Sequence, residues 1–376
     1  MRFIRSTAVL SMVVLLSACF GSKLTGKEPA ELRDFKPAAK LEVRWKRNVG
    51  EVGNAGLQPA VTANAVYVAN ADGELFRLDP VSGKKVWKID TGLKISGAVG
   101  AGDGLVVVGG LKSELVAFDE DGKVRWASKV SSEVLSAPQI VNGMVVVRSS
   151  DGRIAALSAQ DGKRQWLYER ATPTLIVRSH AGVVVQRGMV FAGFAAGKLA
   201  AISLANGAVV WESAVSQPRG NTELERISDI TSLPAVNSDS VCAVAFQGRI
   251  ACFDIKQGAM LWSRDVSSDK GIALLNNYLY VSDAEGTVLA LDKNSGSTLW
   301  KNDQLFMRQP AGPYLMEKFV LVGDYEGYLH ALSREDGSLL ARIKTDGSPI
   351  LFSAVALGKG LLLQTQDGGV YSIEVN

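Results

Sequence analysis

The side chains of this sequence with the strongest intrinsic chemistry are few: three cysteines, Cys19, Cys242 and Cys252, and two histidines, His180 and His330. A zinc centre needs three or four thiolate, imidazole or carboxylate ligands, typically with paired cysteines or histidines at short spacing. No cysteine pair stands at that spacing and the histidines lie far apart, so no metal site is expected. A phosphate-binding Walker loop, a strand-associated GxGxxG and a GxSxG nucleophile elbow are also missing. Carboxylates do recur, as Asp72, Asp79, Asp119, Asp151, Asp254, Asp292 and Asp367, but at equivalent places in a repeat where turn formation accounts for them. No residue is assigned a catalytic role and no cofactor is expected.

The cysteines point to covalent modification instead. Met1 to Arg5 is basic, 8–16 is an apolar run too short to span a bilayer, and Leu16, Ser17, Ala18 and Cys19 close it with small residues before a thiol. The pattern is similar to a bacterial lipoprotein signal, in which 1–18 is removed and Cys19 becomes the acylated first residue. Phe20 rather than Asp follows, which by resemblance to lipoprotein sorting in Gram-negative bacteria implies the outer membrane. Residues 19–39 are polar and include Pro29 and Pro37, so they read as a flexible linker spanning about 25 Å. Cys242 and Cys252 flank a hairpin at Gln247 and Gly248, which would set them face to face across two strands in a compartment that permits disulfides. Cross-strand geometry often disfavours a bridge, and buried cysteines commonly serve as small apolar residues, so both states stay open.

The framework that must position these groups repeats eight times. Asp72-Gly73-Glu74-Leu75 leading to Trp87 is matched by copies centred on positions 113, 152, 197, 248, 286, 327 and 368, spaced 38 to 51 residues apart. That period suits propeller blades or helical arrays. Short β-branched or aliphatic runs such as Val66 to Ala69, Leu105 to Val108 and Leu361 to Leu363, bounded by Gly, Asn or Asp, select strands. The chain is therefore all-β, with four antiparallel strands per copy over 40–376. A four-stranded blade cannot hide both faces and must stack on its neighbours, which a ring achieves.

All seven tryptophans, Trp45, Trp87, Trp126, Trp166, Trp211, Trp262 and Trp300, fall at one repeat position, and the eighth copy has Ala341 there. A bulky aromatic needed in every copy reads as packing between blades rather than as a ligand cage. The Ala341 junction should pack less well or be filled by another side chain. The last hairpin lacks a tryptophan strand, while Leu41 to Trp45 is a tryptophan strand with no hairpin before it. The two should pair, closing an eight-bladed β-propeller by joining the N-terminal strand to the final blade.

Charge adds little: 41 Lys and Arg against 38 Asp and Glu, scattered, offer no stripe for nucleic acid. Since whatever repeats is architecture, recognition should sit where the repeat is broken. The two longest spacings are consecutive, with their surplus in 168–180 and 213–233, so these insertions should lie side by side on one rim. Exposed aliphatics beside Arg and Asp are the ingredients of a protein contact.

The lipobox, short linker, eight repeats of the D-G-x-L-x-A-L-D-x-x-x-G-x-x-x-W type and the stretch Asn221 to Asp229 resemble the BamB family. The repeat is shared with pyrroloquinoline-quinone dehydrogenases. The resemblance covers the whole chain and implies a non-enzymatic scaffold in the machinery that folds and inserts outer-membrane β-barrels. Its partners would be the periplasmic (POTRA) domains of BamA, the other subunits and unfolded outer-membrane proteins, with a lipid anchor, no nucleic acid, and a monomer within a hetero-oligomer. Family members use a Leu-x-Leu-Arg and an Asp-x-Asp segment for that contact. These correspond here to Leu175, Val177 and Arg178, and to Asp229 and Thr231, where the second carboxylate is missing. Leu175 and Val177 would bury apolar area while Arg178 and Asp229 orient the docking. The alternatives are a quinone-dependent dehydrogenase, or a periplasmic propeller serving another complex.

Overall fold

Each repeat folds as a four-stranded antiparallel meander, for local reasons. In blade 1, Ala60–Val61, Val66–Ala69, Glu74–Leu78 and Lys85–Asp90 pair in chain order. Val66–Ala69 is buried on both faces, because a neighbouring blade lies on each side, so its sequence is continuously apolar rather than alternating. Gly73 turns the central hairpin with φ of 102°, and a Cβ there would strike the Leu93 carbonyl at 2.1 Å. The next turn is held by the Asp79 carboxylate, which accepts hydrogen bonds from the Ser82 N–H at 2.7 Å and hydroxyl at 2.6 Å.

The computed structural model describes residues 28–53 and 55–376. The expected signal 1–18 and Cys19 lie outside the described residues. Eight such sheets form the ring. In the last one Leu41–Asn48 is the outermost strand, with Leu41 opposite Val375 and Asn48 opposite Gly369, so the two ends of the chain close the circle.

The tryptophans lock the blades together. The Trp45 ring lies against Gly83 of the next blade so closely that a Cβ on that glycine would come within 2.4 Å of it, and Trp300 sits in the same way on Gly337, at 2.5 Å. The indole N–H groups donate to turn carbonyls of the following blade, from Trp45 to Pro80 and so on to Trp300 to Arg334, at 2.5 to 3.1 Å. Each of these seven junctions thus combines a buried or half-buried aromatic, up to roughly 4–6 kcal/mol of gross area burial, with a directional bond that sets its register. Ala341 marks the one junction where this lock has no keyhole. Blade 8 has no turn between its third and fourth strands, because the two chain ends meet there. Ala341 is buried beside Leu41, Tyr371 and Ile373, with Ala39 and Leu340 packed against them, so small and aliphatic side chains fill the junction.

The structure corrects the expected linker over its last part. Residues 30–39 are strapped across the outer side of blades 6 and 7: the Ala30 N–H donates at 2.9 Å to Phe306 O in the connector between them and the Ala38 N–H at 2.9 Å to Leu340 O of blade 7. Leu32 packs on the cluster containing Trp300 and Leu305, and the Arg342 guanidinium stacks on Phe35 at 5.1 Å. A polar, proline-bearing composition suggested free coil, but extended backbone that borrows sheet-edge carbonyls needs no periodic apolar pattern.

Cys242 and Cys252 are opposite each other in the second and third strands of blade 5, fully buried, and joined by a disulfide with a Cα separation of 4.1 Å. On the axis of the ring, the His180 imidazole meets the Phe352 ring edge-on at 5.4 Å and bonds to Leu135 O at 3.0 Å. His180 follows blade 3 and Phe352 follows blade 7, so this contact joins connectors from opposite blades of the ring.

Candidate docking surface

The two insertions leave blades 3 and 4 on the same face of the ring, one between Arg164–Tyr168 and Val184–Gln186, the other between Val209–Ala214 and Ala235–Val236. They are side by side, as the repeat spacing predicts. What joins them is Asp229. One carboxylate oxygen accepts the Val177 N–H at 2.8 Å and the other the Ala196 N–H at 3.0 Å, and the residue is only 5% exposed. Its own carbonyl accepts the Phe246 N–H at 2.8 Å.

This corrects the role expected for Asp229. A buried carboxylate with both oxygens committed to backbone amides organises the loops and is not free to meet a partner. Thr231, at 7% exposed, is also interior, and its hydroxyl finds no hydrogen-bond partner. Val177 is half-buried, held by its amide.

The solvent-facing residues are Leu175, 42% exposed, and Arg178. Arg178 forks onto Glu133 of the preceding blade's connector, at 3.3 and 2.7 Å, and this bond holds the Glu133 carboxyl below the usual carboxylate range. Leu224, on the tip of the second insertion, is 67% exposed. That tip is held by the Glu225 carboxylate, which accepts from the Asn221 and Thr222 amides at 2.7 and 3.1 Å. The surface therefore combines two aliphatic side chains with a charge pair fixed in orientation. Glu133, in the connector between blades 2 and 3, and Ala196, at the central hairpin of blade 4, are both needed to build it, and no sequence signal marked them.

Beneath 172–179 lies a cavity of about 30 Å³, lined by Arg148, Thr172, Val177, Phe194 and Asp229 among others. Arg148 and Arg170 both stack on Phe194, at 5.1 and 4.8 Å. Among the described residues no three or more His, Cys, Asp or Glu side chains converge as metal ligands.

The family model described as outer membrane protein assembly factor BamB matches residues 71–302. This chain belongs to the BamB family. The BamB of Nitrosomonas eutropha is 43% identical to it, over 98% of this chain and 94% of the relative. The crystal structure of BamB from Moraxella catarrhalis is similar with a TM-score of 0.82 at 26% identity, covering 89% of this chain and 100% of that one. A quinohemoprotein alcohol dehydrogenase from Comamonas testosteroni gives a TM-score of 0.72 at 13% identity, over 89% of this chain and 76% of the other. At that identity the likeness is one of fold alone, whereas the BamB likeness extends to sequence along nearly the whole chain.

Proposed function

We propose that this chain is a non-enzymatic scaffold subunit of the machinery that inserts β-barrels into the bacterial outer membrane. It works on the periplasmic face, held by a lipid on Cys19 after removal of 1–18, and docks on the periplasmic domains of BamA. The observation that carries the docking reading is the pair of insertions clamped by Asp229, which hold Leu175 and Arg178 toward solvent on one rim. Leu175 buries apolar area on the partner, Arg178 and Glu133 offer an oriented charge pair, and the Val177–Asp229 bond positions the loop. A non-enzymatic role is supported by the relatives, which are named as assembly factors.

The test is co-purification of BamA with Leu175→Asp and Arg178→Glu variants, together with photo-cross-linking from position 175 in intact cells. Loss of recovery and a cross-link to BamA are expected. Undiminished recovery with both variants would overturn the assigned rim, and a cross-link only to some other protein would move the propeller to a different complex.

A further inference from the structure

Arg148 is a cation in the wrong kind of place. It ends the second strand of blade 3, Met144–Arg148, four residues before the hairpin Gly152. The other seven copies carry Ala69, Gly109, Gly193, Val244, Ser282, Gly323 and Gln364 there, all uncharged. In blades 2, 4 and 7 the position is a glycine, and a Cβ on it would come within 2.1 to 2.4 Å of Val134, Ile230 or Ile350 from the outgoing connector. Apolar packing is the rule at this spot. Blade 3 alone puts a guanidinium there, and it is the blade whose outgoing connector carries Leu175 and Arg178.

That guanidinium is not provided for by the fold. Among the described residues Arg148 has no hydrogen-bond or ion-pair partner, and its Nη1 is shielded from solvent. Its contact is the face of Phe194, which it shares with Arg170. Arg170 has a carboxylate of its own, Glu212 at 3.1 Å, and Arg178 has Glu133. Asp229 is the nearby acid; its charge favours the guanidinium through space, but its hydrogen bonds go to amides and none goes to Arg148. Burial, and secondarily Arg170, push the Arg148 pKa down to about 10, so the group is still charged at neutral pH. Arg148 is half-buried with its Nη1 shielded, and a cation held partly out of water without a partner is a costly arrangement; here it faces the cavity beneath 172–179.

We propose that Arg148 is the floor of a carboxylate-binding subsite, entered by an Asp or Glu side chain of the protein that docks on Leu175 and Arg178. The inference rests on the docking reading and deepens it. The cavity, about 30 Å³, admits the tip of a side chain or a small anion and nothing the size of a cofactor. A guanidinium fork matches a carboxylate with two parallel N–H bonds, and a cation already partly shielded from water pairs at a reduced desolvation cost on its own side.

The experiment uses the full-length protein and the periplasmic domains of BamA, with Arg148→Met and Leu175→Asp variants. Arg148→Met should bind at least about tenfold more weakly and lose most of the salt dependence of binding. Its Tm should be unchanged or raised by roughly 2 °C, the reverse of what a purely structural arginine would give. Arg148→Met binding like the wild type while Leu175→Asp does not would overturn the subsite and leave the rim intact. Wild-type binding by both variants would overturn both. A parallel thermal titration with acetate and inorganic phosphate separates the source of the anion. A rise in Tm that needs Arg148, with partner affinity unaffected by Arg148→Met, would replace the partner carboxylate by a free anion and so overturn the proposal as stated.

Discussion

The backbone N–H of Val177 donates to the carboxylate of Asp229 at 2.8 Å, across two insertions that are 52 residues apart in sequence. That bond makes one rim out of two loops. A carboxylate that also serves Ala196 at 3.0 Å stands in for the regular strand pairing that neither insertion has.

Asp229→Ala should therefore free the first insertion without unfolding the ring. Two half-buried N–H groups lose their acceptor, at up to about 1–3 kcal/mol each to the extent that water cannot reach them. Amide exchange at Val177 should rise sharply, with the blade strands unchanged, and partner binding should weaken through loop disorder. Unchanged protection of the Val177 amide would show that the loop is held by something other than Asp229.

The tryptophan junctions allow a paired test. Trp300→Ala removes a ring 8% exposed and its bond to Arg334 O, and should cost about 3–5 kcal/mol. Restoring the repeat by Ala341→Trp should also destabilise, by about 1–3 kcal/mol, because the chain ends leave no turn glycine to receive the indole. Urea midpoints measure both. A stabilised Ala341→Trp protein would mean that the eighth junction has an unfilled space after all.

Architecture was legible because it is written eight times. The hairpin glycines, the tryptophan position and the complementary incomplete copies at the two ends lead to the ring and its closure without any long-range information. The insertions were legible as departures from the period. Their internal wiring was not, since a carboxylate such as Asp229 reads the same in sequence whether it faces a partner or caps two buried amides. The strap over 30–39 escaped for a related reason: it is held by the backbone carbonyls of Phe306 and Leu340, which have no side-chain signature. Arg148 was visible all along as a charged residue at an uncharged repeat position, and only the cavity gives that oddity a meaning.

The Cys242–Cys252 bridge joins strands already paired in one hairpin, with a sequence separation of 10. For an open loop of that length chain entropy gives about 2.7 kcal/mol, and a hairpin partly ordered without the bridge should yield less. Cys242→Ala with Cys252→Ala is thus expected to fold as a ring and to lose at most about 2–3 kcal/mol by denaturant midpoint. A double variant that fails to fold would make the bridge a requirement for blade 5 to form.

The buried polar cluster of blade 7 should make the ring sensitive to acid. His330, fully buried, faces Asp324, with Nε2 to Oδ2 at 3.0 Å, while its Nδ1 accepts from Arg342 Nε at 3.3 Å. Arg308 holds the same Asp324 oxygen at 2.8 Å and also bonds Glu326 and the strap carbonyl of Ala30, and the Tyr328 ring lies 6.2 Å from the imidazole. Burial, with Arg342 and Arg308 nearby, pushes the His330 pKa below its ordinary value despite the opposing pull of Asp324. Burial alone would raise Asp324, but the bonds from His330 and Arg308 hold it below the usual carboxylate range. Both folded values lie below the unfolded ones, so in each window the unfolded chain binds the extra proton and stability is lost as pH decreases. The His330 contribution is complete above about pH 6.5 and is lost as pH drops toward the depressed folded value; the Asp324 contribution follows below about pH 4. Urea midpoints recorded from pH 8 to pH 4 should show a step that His330→Gln abolishes above pH 5, since glutamine can keep one bond to Asp324 without titrating. The same step in the variant would assign the acid sensitivity to another group. Because Arg308 ties this cluster to Ala30, amide exchange in 30–39 should accelerate over the same pH range.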